Sequence, residues 1–176
     1  MTEERKAAVT LGGNPITLAG PELKVGQAAP DFTAVDTALQ PVQLSSARGK
    51  ALVIAAVPSL DTTVCDTEIR RFNLESAALS GVEIWTLSMD LPFAQKRWCG
   101  AAGVDVVKAL SDFRERMFGP AYGVLIKSGA LTGLHTRAVF VIGKDGCLTH
   151  VEYVKEIASE PDYAAALAAA RKAAGA

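Results

Sequence analysis

Residues 51–57 read ALVIAAV, and residues 58–65 continue as PSLDTTVC. An unbroken apolar run bounded by Lys50 and Pro58 predicts a strand covered on both faces, as in the interior of a parallel sheet. The next segment is rich in turn and capping residues. A helical stretch then runs to about Ser80, with Ile69, Phe72, Ser76 and Leu79 on one face and Gly81 as its stop. Val82–Met89 reads as a second strand. Two strands joined through a helix demand a parallel strand–helix–strand unit.

Working outward, Pro92–Gly100 (PFAQKRWCG) starts with proline at an early helical position and closes with glycine. Val106–Leu110 predicts a short strand, followed by a brief helix near Phe113–Met117. Ala138–Ile142 and Leu148–Val154 flank Lys144-Asp145-Gly146, a hairpin with a D-G turn. Pro161-Asp162 opens a last, alanine-rich helix to about Ala173, suited to close packing. On the N-terminal side, Val25–Phe32 reads as a loop entering a short strand. Before it, VTLGGNPITL (residues 9–18) is a hairpin signal around Gly12-Gly13-Asn14-Pro15. The expectation is an α/β fold in a single domain spanning residues 1–176. A mixed β-sheet carries helices on both sides, with an extra N-terminal β-hairpin at about residues 8–19.

Composition narrows the function. With 18 basic and 19 acidic residues there is no basic surplus to neutralise a phosphate backbone, so a nucleic-acid partner is not expected. No apolar run approaches the roughly 20 residues needed to span a bilayer. The start, MTEERKAAVTLGG, has no apolar signal-peptide core, which predicts a cytoplasmic location and no membrane. Three cysteines are too few for a secreted disulfide scaffold. Cys65, Cys99 and Cys147 form no C-x-x-C pair, and neither His135 nor His150 has a second ligand close in sequence. Neither a metal nor any other cofactor is expected. In a reducing compartment such cysteines are inert core or reactive chemistry.

Cys65 sits where a loop enters the first turn of a helix behind a buried strand. Free N–H groups and partial positive charge at a helix start favour a thiolate over a thiol, and the thiolate is the nucleophile. Arg70 and Arg71 lie within two turns and are expected to add positive potential, although a solvated helix face suits Arg71 better. The spacing Pro58-x-x-x-Thr62-x-x-Cys65 matches the Pro-x-x-x-Thr/Ser-x-x-Cys signature of peroxiredoxins. The segments PSLDTTVCDTEIRRFN, DLPFAQKRWCG and GLHTRAVFVI, with GNPITLAG near the start and SEPDYAAAL near the end, resemble the bacterial thiol peroxidase branch, the atypical 2-Cys peroxiredoxins. The likeness spans nearly the whole chain.

The resemblance implies a thioredoxin fold and a set of roles. Cys65 would attack the O–O bond of a hydroperoxide substrate and become a sulfenic acid. Thr62 would hydrogen-bond thiolate and peroxide, Pro58 would shield the sulfenic acid, and Arg137 would reach across from a distant strand to polarise the peroxide. Cys99 would resolve the sulfenic acid as an intrachain disulfide, with thioredoxin as reductant and a homodimer as the assembly. A disulfide needs Cα atoms within about 7 Å, so local unwinding around both helix-borne cysteines is expected. Surface near Leu91-Pro92-Phe93 would serve the dimer. Cys147, in the turn KDGCLTH, falls outside the pattern and reads as a bystander. His135 and His150 read as surface or satisfied core residues.

Two other functions compete. A thioredoxin-like binding or chaperone module without activity would not need Pro58, Thr62, Cys65 and Arg137 together. A dithiol oxidoreductase favours C-x-x-C, in which both sulfurs share one helix end. Alkyl and lipid hydroperoxides would be favoured over hydrogen peroxide if the pocket beside Cys65 is apolar.

Overall fold

In the computed structural model, which describes residues 3–175, the apolar run Ala51–Ala56 is an interior strand of a seven-stranded mixed sheet. Fourteen strands and helices follow the chain in the order β1 (Glu4–Leu11), β2 (Asn14–Ala19), β3 (Thr33–Asp36), β4 (Pro41–Gln43), β5 (Ala51–Ala56), α1 (Thr63–Glu75), β6 (Val82–Ser88), α2 (Pro92–Ala102), β7 (Lys108–Ser111), α3 (Phe118–Ala121), β8 (Leu125–Ile126), β9 (Ala138–Ile142), β10 (Leu148–Tyr153) and α4 (Tyr163–Ala174). The large sheet runs β10-β9-β5-β6-β7-β3-β4, and β1-β2-β8 form a smaller one. β5, β6 and β7 are parallel, as the strand–helix–strand reading requires, while β9 lies antiparallel on the other side of β5.

Every residue of β5 is buried, because both faces of the sheet are covered. On one face Val53, Ala55, Val139 and Val141 meet Cys65, Ile69 and Phe72 of α1, Trp98 of α2, and Ala166, Leu167 and Ala170 of α4. Alanine at 166 and 170 lets α4 lie close to the sheet. The Asp162 carboxylate caps its start by accepting the Ala165 N–H at 3.0 Å. On the other face Leu52, Ile54, Trp85, Leu87 and Phe140 meet an aromatic cluster of Phe32, Phe118 and Tyr122. The helices do lie on both sides, but unequally: among the described residues, three long ones cover the first face, and the second has the four-residue α3 and a short 3-10 helix at Leu44–Ala47.

The brief helix expected near residues 113–117 lies instead at 118–121. Asp112 explains the displacement. Its buried carboxylate accepts the N–H groups of Phe118 (3.2 Å) and Gly119 (2.9 Å), which sets the helix start there. Arg116 meanwhile takes a left-handed φ of 52°. β4 and β8, of three and two residues, were not expected.

The N-terminal hairpin turns through Gly12 and Gly13, both at positive φ (57° and 78°), as a tight hairpin turn requires. It is tied to the segment after β10. Thr10 N–H donates to Lys155 O at 2.7 Å, Ile157 N–H donates to Thr10 O at 2.8 Å, and the Glu156 carboxylate accepts from the backbone of Gly12 and Gly13. Beyond β2, Gly20 has φ +102°, and a Cβ there would lie 2.0 Å from Pro120 O and 2.8 Å from Gly123 Cα. Gly20→Ala is therefore expected to cost about 3 kcal/mol or more. Urea unfolding would show it as a lower midpoint at unchanged slope. Among the described residues no helix is long and apolar enough to cross a membrane.

Candidate active site

The loop after β5 is pinned by one acid. Asp90, just beyond β6, accepts the Ser59 hydroxyl (2.7 Å), the Leu60 N–H (2.8 Å) and the Ser88 hydroxyl (2.8 Å). Pro58, buried, carries the chain out of β5 into this loop. Thr62 is the N-cap residue of α1, with extended φ and ψ of −90° and 145°, yet its side chain does not cap the backbone. Its hydroxyl lies 2.7 Å from Cys65 Sγ and 3.2 Å from Ser59 O. A hydroxyl has one proton to give, and the shorter contact is to sulfur.

Cys65 occupies the first turn of α1 and is fully buried. Arg137 precedes β9, whose first residue, Ala138, pairs with Ala56 at the end of β5. That register brings the guanidinium to the mouth of α1. Arg137 donates Nη2–H to Cys65 Sγ at 3.3 Å, Nε–H to Ile157 O at 3.0 Å, and Nη1–H to the Glu68 carboxylate. Thr62 and Arg137 are both donors, and each would stabilise negative charge placed on the sulfur. Burial opposes the Arg137 charge, but Glu68 and the Cys65 sulfur more than offset it and hold the guanidinium protonated.

Sequence reasoning missed Glu68. It is fully buried, and among the described residues its Oε1 has no hydrogen-bond partner. Burial pushes its carboxyl up to about 7 against the downward pull of Arg137. A signal did exist: residues 65, 68, 69 and 72 share one helical stripe, and Glu68 is the only acid on it. The nearest partners of Arg70 and Arg71 are other than the thiol, and Arg71 lies on an exposed helix face, the reading that suited it better. Arg70 pairs with Asp66 at 2.8 Å, and Arg71 stacks 4.0 Å from the Tyr163 ring.

Cys99 lies in the last third of α2, partly buried against the same core as Cys65, and the two are separate thiols. Burial pushes the Cys99 thiol up. Cys147 is at the opposite end of the sheet, in the β9–β10 turn, where its N–H donates to Asp145. His135 is a core residue, 3.2 Å from Asp112 and packed edge-on to Phe118; His150 lies 3.7 Å from Glu152. So Thr62, Cys65 and Arg137 are brought together, Pro58 lies directly upstream, and Cys99 waits on a neighbouring helix.

Residues 24–167 match the family model described as Redoxin. The chain is 52% identical over 167 residues to the thiol peroxidase of Halalkalibacterium halodurans, covering 95% of this chain and 99% of that one. It is 47% identical to the thiol peroxidase of Bacillus subtilis, covering 94% and 97%. Among solved structures it is similar to a peroxiredoxin-like protein from Aquifex aeolicus, with a TM-score of 0.90, 46% identity and coverage of 96% and 97%. A chain with a buried cysteine at a helix start, faced by a hydroxyl and a guanidinium on a thioredoxin-fold sheet, thus has relatives over nearly its whole length: it belongs to the Redoxin family and, within it, to the thiol peroxidases, enzymes that reduce peroxides through cysteine.

Proposed function

We propose that Cys65 is the peroxide-attacking cysteine and Cys99 its resolving partner, in a thioredoxin-dependent cycle carried out by the whole chain as one domain. The observation that carries this reading is the convergence of two donors, Thr62 Oγ1 and Arg137 Nη2, on Cys65 Sγ. In the first step the Cys65 thiolate attacks the outer oxygen of a hydroperoxide. The O–O bond breaks, the alcohol or water leaves with a proton, and Cys65 becomes a sulfenic acid. Negative charge develops on the departing oxygen, and each donor preorganised for it is worth about 3 kcal/mol. In the second step the Cys99 sulfur attacks the sulfenic sulfur, water leaves, and an intrachain disulfide forms. Thioredoxin returns the two electrons.

Pro58, buried just after β5, shields the sulfenic acid in this scheme. A cytoplasmic setting, where thioredoxin is kept reduced, suits the cycle. A homodimer built on the start of α2 would cover Leu91 and Phe93, which are 49% and 67% exposed.

The test is mass spectrometry after one equivalent of peroxide. Wild type is expected to yield a Cys65–Cys99 disulfide, and Cys99→Ser a sulfenic acid on Cys65. Modification confined to Cys147 would overturn the scheme.

A further inference from the structure

Cys65 and Cys99 are each flanked by a residue of one interhelical contact. Asp66 follows Cys65, Trp98 precedes Cys99, and the indole Nε1–H donates to Asp66 Oδ1 at 3.0 Å. The second oxygen of Asp66 accepts Arg70 Nε–H at 2.8 Å. Arg70 in turn donates Nη1–H to Ala102 O at 2.8 Å. That carbonyl is in the last turn of α2, where backbone acceptors lack partners within their own helix. The Arg70 guanidinium also lies 5.9 Å from the Trp98 ring, within cation–π range. Cys99 therefore stands between two anchors, at residues 98 and 102, both fastened to the first turns of α1. Trp98 is only 8% exposed, so its contact with Asp66 is largely sheltered from water.

We propose that the Asp66–Trp98 and Arg70–Ala102 contacts form a latch that holds Cys99 in α2 and sets how long an oxidised Cys65 waits for it. The proposal rests on the roles given to Cys65 and Cys99 above. Disulfide closure needs the two Cα atoms within about 7 Å, and a helix-borne thiol reaches its partner by leaving the helix. Release of both anchors frees the turn that carries Cys99. Until then Cys99 is also partly buried, which keeps its sulfur protonated and a poor nucleophile.

The latch thereby governs a branch point. The Cys65 sulfenic acid either reacts with the Cys99 thiol, giving disulfide and water, or reacts with a second hydroperoxide, giving sulfinic acid and the corresponding alcohol or water. The second route is irreversible without a dedicated repair enzyme. A tight latch lengthens the wait and directs more enzyme into sulfinic acid as peroxide rises.

Trp98→Phe tests this, because it keeps an aromatic ring in the core and removes the donor. Rapid quenching with thiol alkylation, followed by intact-mass analysis, reads sulfenic acid, disulfide and sulfinic acid separately. Losing a hydrogen bond to a charged acceptor is expected to speed disulfide closure about tenfold. The rate of sulfenic acid formation stays at the wild-type value, and less sulfinic acid accumulates at a given peroxide excess. Arg70→Met, at a half-exposed side chain, removes the second anchor and is expected to act in the same direction. The double variant falls short of the product of the two single effects, because both act on one contact network.

Disulfide closure in both single variants at or below the wild-type rate overturns the latch alone. A wild type that forms no Cys65–Cys99 disulfide overturns the underlying reading and the latch with it. A purely structural role for Trp98 would lower the unfolding midpoint and leave the ratio of disulfide to sulfinic acid unchanged, which also overturns the proposal.

Discussion

Cys65→Ser is expected to lose peroxide reduction by about 10⁴-fold or more, the scale seen when an enzyme loses its nucleophile. Serine keeps the size and most of the hydrogen-bonding capacity of the site, so Thr62 and Arg137 retain a partner and the fold persists. Its hydroxyl remains protonated at neutral pH and lacks the nucleophilicity of a thiolate toward the O–O bond. Peroxide consumption in a thioredoxin-coupled assay measures the loss, and circular dichroism checks the fold. A folded variant with a tenth of wild-type activity would show that the chemistry lies elsewhere.

Arg137→Met is expected to cut peroxide reduction by about 10²–10³-fold, the usual effect of removing one preorganised donor. It is also expected to lower stability by about 3 kcal/mol, because one member of a buried ion pair loses its partner. Glu68 supplies a signature beyond the loss of rate. In the wild type its carboxyl is raised from an ordinary 4.5 to about 7. An acid with a raised folded-state value stabilises the fold relatively most at low pH, and that contribution is lost as pH rises from about 4.5 to about 7. Without the guanidinium the carboxyl rises further, so the loss continues past the wild-type window. The stability gap between variant and wild type thus widens above pH 7 and narrows in acid. Urea unfolding at a series of pH values reads it, and a gap independent of pH would show that Glu68 is not charged opposite Arg137.

The legibility of this chain in its sequence followed distance along it. Cys65 and Thr62 lie three residues apart, and one loop-to-helix turn brings their side chains together, so the family signature that names Thr62 is itself local. Arg137 lies 72 residues from Cys65. Only the antiparallel register of β9 on β5 brings it there, and only the family resemblance named it. Glu68 was readable as an acid on an apolar helical stripe, yet an acid in a helix is commonplace until its burial is known. β5 announced itself because both of its faces are buried, whereas β4 and β8 are too short to show a period of two. The displaced α3 depends on a side chain, that of Asp112, reaching forward to backbone N–H groups. Composition and periodicity carry no trace of such a contact.

The tie between the hairpin and the segment after β10 has a consequence for the order in which the molecule is made. Thr10 leaves the ribosome 145 residues ahead of its partner Lys155. Ile157, whose carbonyl receives Arg137 Nε–H, is held in place by that same tie. A nascent chain that already displays Cys65, Thr62 and even Arg137 still lacks the acceptor that aims the guanidinium. The thiol therefore gains its oriented cation only after residues 155–157 have emerged and the first hairpin has closed on them. Assembly of this centre waits for a segment made well after Thr62 and Cys65.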